Sequence, residues 1–279
     1  MITPFQALAC PLDGATLRRH ENMWQCASGH SFDISSQGYT HLLPVQKKRS
    51  RDPGDSKEMV ASRRRFLASD AYDPIANATN QMVLLNAPAD ATISCLDAGC
   101  GEGHYLRRLA ASAGPDMTLV LAGLDISKWA VQAAARRDKQ MTWLVGSNAN
   151  LPIQCASLDW ILCMFGFPVY AEFARVLKPG GQLLQVDAGA RHLQELREII
   201  YPTIKAERKG EEAEPPGFEH AASERLDYSL ELTNAEQITD LLAMTPHLYR
   251  ASAEGLAKAK ALTHLSVTVD VRLTRYRLA

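Results

Sequence analysis

The 279 residues predict an α/β fold built on a doubly wound, mostly parallel sheet. Three observations carry that expectation. The stretch Ile93 to Leu109 reads as a strand, a glycine turn and a helix start: Ile93, Leu96 and Ala98 run into Gly99-Cys100-Gly101-Glu102-Gly103, and Tyr105, Leu106 and Leu109 resume at helical spacing. A second apolar run, Leu119 to Leu124, ends in Asp125, 28 residues after Asp97. Further on, helix, Pro-Gly turn and strand alternate in the rhythm that places crossover helices on a parallel sheet.

Taken in order, the chain opens with Cys10-Pro-Leu-Asp13 and Cys26-Ala-Ser-Gly-His30, separated by twelve residues that include Trp24. These are the two knuckles of a small zinc ribbon, with Cys10, Asp13, Cys26 and His30 as ligands and His20 as a spare. Thiolate and imidazole suit zinc, and a carboxylate oxygen is acceptable to it. A metal-free hairpin with two buried thiols is the alternative. From Gln46 to Phe66 there are eight Lys or Arg and three acids, a local excess of five on a chain whose net charge is -1. Lys47, Lys48, Arg49, Arg51, Arg63, Arg64 and Arg65 are therefore the expected contacts to nucleic acid, since such an excess can neutralise several phosphates. A solvated helix face is the competing reading. Asp52-Pro53-Gly54-Asp55 reads as a turn and helix cap, and helices are expected over 57–69 and 74–86, with Pro74 at a start and Pro88 beyond an end.

The glycine turn is Gly-x-Gly-x-Gly and lacks the longer spacing of pyrophosphate binders. An acid at the tip of the next strand suits a ribose diol. The expected ligand thus carries an adenosine but need not carry phosphates, which S-adenosylmethionine (SAM) satisfies. Thr142–Val145 is expected as the third strand, and Asn148 in the loop after it can pair with an adenine edge or simply form a turn. Ser157 to Met164 is the fourth strand, with Phe165 and Phe167 at its carboxyl end where a substrate ring could stack. Glu172 to Lys178 is a helix, Gln182 to Val186 the fifth strand, and Asp187 to His192 closes the pocket from that strand's end. The segment from Lys205 to Glu224, rich in Glu, Lys and Pro, reads as an exposed loop or mobile cover. A strand near 225–232, a helix over 234–244 and a strand over 264–276 finish the chain. In the last, Val267, Val269, Val271 and Leu273 alternate with Thr268, Asp270, Arg272 and Thr274, giving one buried and one wet face.

The six cysteines are scattered and mostly in apolar surroundings, which suits reduced thiols better than a disulfide framework. No apolar run approaches a membrane span, and the first residues lack a secretory pattern, so a cytoplasmic location is expected.

These residues resemble one family along essentially the whole chain, the bacterial 23S rRNA guanine-N1 methyltransferases of the RlmA type. The resemblance rests on Cys26-x3-His30-x-Phe32-Asp33, Gly38-Tyr39-x2-Leu42-Leu43-Pro44-Val45-Gln46, Arg49-Ser50-Arg51-Asp52-Pro53-Gly54-Asp55 and Asp97-x-Gly99-Cys100-Gly101-Glu102-Gly103. It continues through Gly123-Leu124-Asp125-Ile126-Ser127, Arg175 to Gly181, Arg191-His192-Leu193 and Met244-Thr245-Pro246. It implies a class I (Rossmann-like) SAM methyltransferase domain over 91–279 with an antiparallel last strand, a ribbon domain over 1–45, and a basic linker with helices over 46–90. By the resemblance Tyr72, Gly101, Glu102 and His192 hold SAM, within a site that also includes Asp97, Gly99, Gly103, Asp125, Ile126 and Asn148. It also implies a homodimer acting on a hairpin loop of 23S rRNA. The family's ribbon binds zinc through three cysteines and a histidine, so Asp13 departs from the pattern. Guanine N1 is protonated at neutral pH, so a general base or a donor to the developing O6 charge would help, and Asp187 is the carboxylate best placed, with strand-end capping as its alternative role. A small-molecule methyltransferase, or an RNA-binding protein that keeps SAM as a structural ligand, are the alternative functions.

Overall fold

The computed structural model describes residues 1–47, 50, 52–85, 87–203 and 214–279. The N-terminal part contributes β1 (Ile2–Pro4), a three-stranded antiparallel ribbon of β2 (Arg18–His20), β3 (Met23–Gln25) and β4 (Ser31–Asp33), and β5 (Tyr39–His41). Two helices follow, α1 (Lys57–Leu67) and α2 (Asp73–Leu84). The Ser56 hydroxyl caps α1 by accepting from the Met59 N–H, and Pro74 sits in the first turn of α2, where its missing N–H is not needed.

The alternating unit then runs β6 (Thr92–Ala98), α3 (His104–Ser112), β7 (Thr118–Asp125), α4 (Lys128–Arg137), β8 (Thr142–Val145), β9 (Leu158–Met164), α5 (Tyr170–Val176) and β10 (Leu177–Ala188). It closes with α6 (Gln194–Ile200), β11 (Phe218–Leu232), α7 (Ala235–Ala243), α8 (Ala253–Lys260) and β12 (Leu265–Leu278). The main sheet has the order β11-β12-β10-β9-β6-β7-β8-β5, and β1 pairs with the first half of β7. Neighbours from β10 through β5 are parallel, whereas β12 runs antiparallel to both β10 and β11. The strand order reverses between β6 and β9, which places a crevice beyond their carboxyl ends. Helices cover both faces, so β6 and β9 are buried almost throughout, and Leu96, Leu121, Ile161, Leu162 and Leu184 are among the core residues.

Two expectations need correction. Phe218 to Glu224 is not loop: it is the first half of β11, an edge strand whose residues are mostly exposed and so carry little apolar signal. The second face of β12 is not uniformly wet, because Asp270 and Thr274 are buried; Asp270 is covered by Arg225 from β11 and by the main chain at Arg191. The six cysteines are all free, and Cys155 alone is exposed. No helix among the described residues is long and apolar enough to cross a membrane.

Candidate functional site

The glycine turn between β6 and α3 folds back on the tip of β7. The N–H groups of Gly99 and Cys100 both donate to the Leu124 carbonyl, at 2.8 and 3.0 Å, and the Gly101 N–H donates to Asp125 Oδ2 at 2.9 Å. Gly101 and Gly103 have φ of +54° and +80°, and a Cβ on Gly103 would stand 2.5 Å from the Trp143 ring, so only hydrogen fits there. Asp125 also accepts from the Ser127 N–H at 2.7 Å through Oδ1. A carboxylate has about four acceptor positions, so two remain for a ligand's hydroxyls. Burial raises the Asp125 pKa from its ordinary value.

Asp97, at the end of β6, is fully buried, and neither of its carboxyl oxygens has a hydrogen-bond partner among the described residues. Burial first, and then the neighbouring Asp125 charge, push its pKa up to about 8. A buried acid left unpaired in this way is costly, and it fits a ligand whose cationic end enters the crevice.

The opposite wall is aromatic. The Tyr72 hydroxyl, at the start of α2, lies 3.4 Å from His192 Nε2, and His192 Nδ1 accepts from the Asp270 N–H at 3.3 Å. That second bond leaves the neutral ring's proton on Nε2, facing Tyr72. Burial lowers the His192 pKa to about 4, so the ring is neutral at pH 7. Phe165 stacks on His192 with centroids 5.8 Å apart and holds a left-handed φ of +52°, anchored by its N–H on the Val186 carbonyl at 2.8 Å. Backbone strain of this kind in a bulky residue concentrates at functional sites. Phe167 is 89% exposed at the rim. Asn148 donates to the carbonyls of Ala98 (3.2 Å) and Phe167 (3.3 Å), tying the tips of β6 and β9 together while its own Oδ1 is unpartnered among the described residues.

Glu102 differs from the other crevice residues. Its buried carboxylate is engaged by Arg107 at 2.8 Å and Arg137 at 3.0 Å, so what it presents to a ligand is main chain. Asp187 accepts from Gln185 Nε2 at 2.8 Å, and Gln185 Oε1 accepts from the Tyr170 hydroxyl at 3.0 Å. Gln185 and Tyr170 were not singled out from the sequence; residues two apart on a strand share a face, which is the signal that would have found Gln185.

In the ribbon, ligand atoms of Cys10, Asp13, Cys26 and His30 all lie within 4.8 Å of one another. His30 Nδ1 is 3.1 Å from Asp13 Oδ2, 3.4 Å from Cys26 Sγ and 3.5 Å from Cys10 Sγ, and Cys26 Sγ is 3.7 Å from Asp13 Oδ2. Tetrahedral zinc with bonds of about 2.0–2.3 Å has ligand-to-ligand edges of roughly 3.3–3.8 Å. The four residues therefore fit that ion. Asp13 Oδ1 accepts from the Ala15 N–H at 3.0 Å, which turns Oδ2 toward the cluster, and that bond is the first cause holding the carboxyl well below the usual carboxylate range.

The basic stretch is divided by the fold. Arg63 donates to the Met244 carbonyl at 3.0 Å and pairs with Asp55. Arg65 pairs with the buried Asp240, its Nε 2.8 Å from Oδ2. Arg64 is exposed and makes no ion pair among the described residues. Lys48, Arg49, Arg51 and the side chain of Lys47 lie outside the described residues.

A reversed strand order, a glycine turn bonded to an acid at the next strand's tip, and an antiparallel strand slotted beside β10 define a class I SAM-dependent methyltransferase. Residues 8–51 match the family model described as "RlmA, N-terminal" and residues 95–181 match "Methyltransferase domain". A protein of Micromonospora griseorubida, provisionally named a 23S rRNA (guanine-N(1)-)-methyltransferase, is 33% identical over 97% of this chain and 97% of its own. The 23S rRNA (guanine(748)-N(1))-methyltransferase of Streptomyces fradiae is 31% identical over 90% of this chain and 89% of its own. YxjB of Bacillus subtilis, provisionally named for the same reaction, is 27% identical over 96% and 95%. The chain belongs to the RlmA family of bacterial 23S rRNA guanine-N1 methyltransferases.

Proposed function

We propose that the protein methylates N1 of a guanine in a hairpin loop of 23S rRNA. The observation that carries this reading is the extent of the likeness: relatives named for that reaction align over the ribbon and linker as well as over the catalytic sheet. The zinc-fitted cluster directly precedes the basic block, and within that block Arg64 is exposed without an ion pair among the described residues, which favours a polyanionic acceptor over a small neutral one.

SAM, when bound, supplies an electrophilic methyl group on a sulfonium. The main chain from Gly99 through Gly103 would hold the nucleoside, Asp125 would take the ribose hydroxyls, Ile126 and Asn148 would contact the adenine, and Asp97 would meet the cationic end. Tyr72 and His192 form the far wall. Phe165 offers a fixed platform on which an extruded guanine can stack. Asp187, oriented by Gln185 and through it by Tyr170, would take the N1 proton and leave the N1 electron pair available to the methyl group that SAM would supply. Holding the acceptor in that line accounts for much of the rate. Cys10, Asp13, Cys26 and His30 hold zinc, and residues 1–45 act with the linker over 46–90 as the RNA-recognition part, Lys47, Lys48, Arg49, Arg51 and Arg64 contacting phosphates. Residues 91–279 carry the chemistry. We place the protein in the cytoplasm as a homodimer, in keeping with the family resemblance.

The test is incubation with labelled SAM and unmodified 23S rRNA, followed by reverse transcription. A stop at one hairpin-loop guanine supports the reading. Label appearing only in small metabolites rejects it.

A further inference from the structure

Asp125 is aimed by two main-chain donors, and both lean on residues outside the sheet. The Gly101 N–H donates to Oδ2 at 2.9 Å and the Ser127 N–H to Oδ1 at 2.7 Å. Gly101 has a left-handed φ of +54° and no side chain, so its own torsions set the direction of its N–H only loosely. Ser127 caps α4, its hydroxyl accepting from the Ala130 N–H at 3.3 Å. What bears on both donors from outside is the linker and α1.

The contacts close into a ring. A Cβ on Gly101 would stand 3.5 Å from Arg63 Nη1 and 3.8 Å from Arg63 Cδ, so the Arg63 side chain lies against the open face of that glycine. The same Nη1 pairs with the Asp55 carboxylate, while Nη2 donates to the Met244 carbonyl at 3.0 Å and fastens the guanidinium to the end of α7. The Asp55 carbonyl accepts from the Ser127 hydroxyl at 2.7 Å, beside Gly54, where a Cβ would stand 2.9 Å from Ser127 Cβ. Asp125, Gly101, Arg63, Asp55 and Ser127 thus form one circuit. The side chains of Arg63 and Asp55 are only 25% and 24% exposed, so their attraction is screened less than that of a surface pair.

We propose that Arg63, held by Asp55, is a positioning residue of the cofactor site: it fixes the two donors that aim the Asp125 carboxylate at the ribose hydroxyls of SAM. The assignment rests on the reading above that Asp125 takes the ribose. It moves Arg63 from the RNA side, where its place in the basic run put it, to the cofactor side. A carboxylate aimed beforehand accepts the diol without reorganising. Without Arg63 it keeps its charge but loses its direction, and the loss falls on ligands that carry the hydroxyls.

The experiment is calorimetry on the full chain with S-adenosylhomocysteine, the demethylated product, and with its 2′-deoxy analogue, comparing wild type, Arg63→Gln and Asp55→Asn. Wild type should bind the deoxy compound about tenfold more weakly, the effect of one lost hydrogen bond to a charged acceptor. Arg63→Gln should weaken S-adenosylhomocysteine about five- to tenfold and leave the deoxy compound nearly unchanged, so that the ratio between the two falls to about two. Asp55→Asn should shrink the ratio in the same direction, and it decides the matter if Arg63→Gln does not fold. A ratio that stays at its wild-type value in either folded variant overturns the proposal. So does equal weakening of both ligands, because a general loosening of the fold acts on both alike. If wild type itself does not distinguish the two ligands, the ribose reading of Asp125 fails, and the role of Arg63 fails with it.

Discussion

Replacing Asp97 by asparagine is expected to stabilise the unliganded protein at neutral pH while weakening its hold on SAM. The carboxyl is fully buried without a partner among the described residues, and its pKa is pushed from 3.8 to about 8. In the unfolded chain it ionises near its ordinary value. Between the two values the folded state binds the proton and the unfolded state does not, so stability is fully present below about pH 4 and is lost as pH rises toward about 8, at about 1.4 kcal/mol per pH unit. At pH 7 roughly three units have been crossed, a loss of about 4 kcal/mol. Asparagine does not titrate and escapes that loss, although its buried amide needs partners and gives back about 1–2 kcal/mol. Urea unfolding of wild type and Asp97→Asn, without SAM, at pH 4.5, 6.0 and 7.5 reads the difference directly. The variant's advantage should grow with pH to about 3–4 kcal/mol at 7.5. With SAM the order reverses: wild-type affinity rises with pH toward 8 as the cation fixes the ionised carboxylate, and the variant binds more weakly with no such rise. A stability gap that does not change with pH, or a variant less stable at 7.5, refutes the reasoning.

Two further outcomes follow from the ribbon and from α1. Asp13→Cys restores a third thiolate and should tighten zinc at least about tenfold in chelator competition, whereas Cys26→Ser should retain no stoichiometric zinc; equal zinc contents in Cys26→Ser and wild type would show that the cluster is not a metal site. Arg65→Ala leaves the carboxylate of buried Asp240 without its partner and should destabilise the fold by about 1–3 kcal/mol in urea unfolding. Arg64→Ala should stay within about 0.5 kcal/mol of wild type yet bind the rRNA hairpin less tightly; the opposite pattern would mean the fold uses Arg64 and frees Arg65.

The doubly wound core was legible because its strands are buried on both faces and so read as unbroken apolar runs, with Gly-rich and Pro-Gly turns between them. Thr142–Val145 and Leu158–Met164 appear almost as the apolar runs delimit them. The ribbon ligands were legible from spacing, and the fold brings all four together. What the sequence hid depends on long-range partners. Arg63, Arg64 and Arg65 are equivalent as a charge run, but Arg63 and Arg65 find Met244 and Asp240, 181 and 175 residues away, and only the packing of α1 on α7 separates them from Arg64. Glu102 looks like a ligand contact until Arg107 and Arg137 are seen to hold it. Asp270 follows the pattern of a wet strand face, yet Arg225 closes over it. Tyr201 follows the short α6 and His247 lies in a single 3-10 turn, neither of which gives a clear period, so their pairing had no sequence signal.

The ribbon is not hung on a free hinge, and this bears on how one guanine is chosen. Its flanking strands are built into the catalytic sheet: β1 pairs parallel with β7 through Ile2 and Leu119, and β5 pairs parallel with β8 through Tyr39 and Trp143. Trp143 is the ring against which Gly103 of the cofactor turn is seated. The linker is fixed as well at Gly54 and Asp55. The Ser127 hydroxyl donates to the Asp55 carbonyl at 2.7 Å, and a Cβ on Gly54 would stand 2.9 Å from both Ile126 Cγ2 and Ser127 Cβ. Asp55 in turn pairs with Arg63, whose guanidinium also reaches Met244 ahead of the 3-10 turn that carries His247. The ribbon's flanking strands, residues 54–63 of the linker and Asp125 are thereby held on one framework. Under the proposed rRNA reading, a hairpin held by the ribbon would present to the crevice only the base lying at that fixed separation, so selection by distance would operate without reading the sequence of the loop.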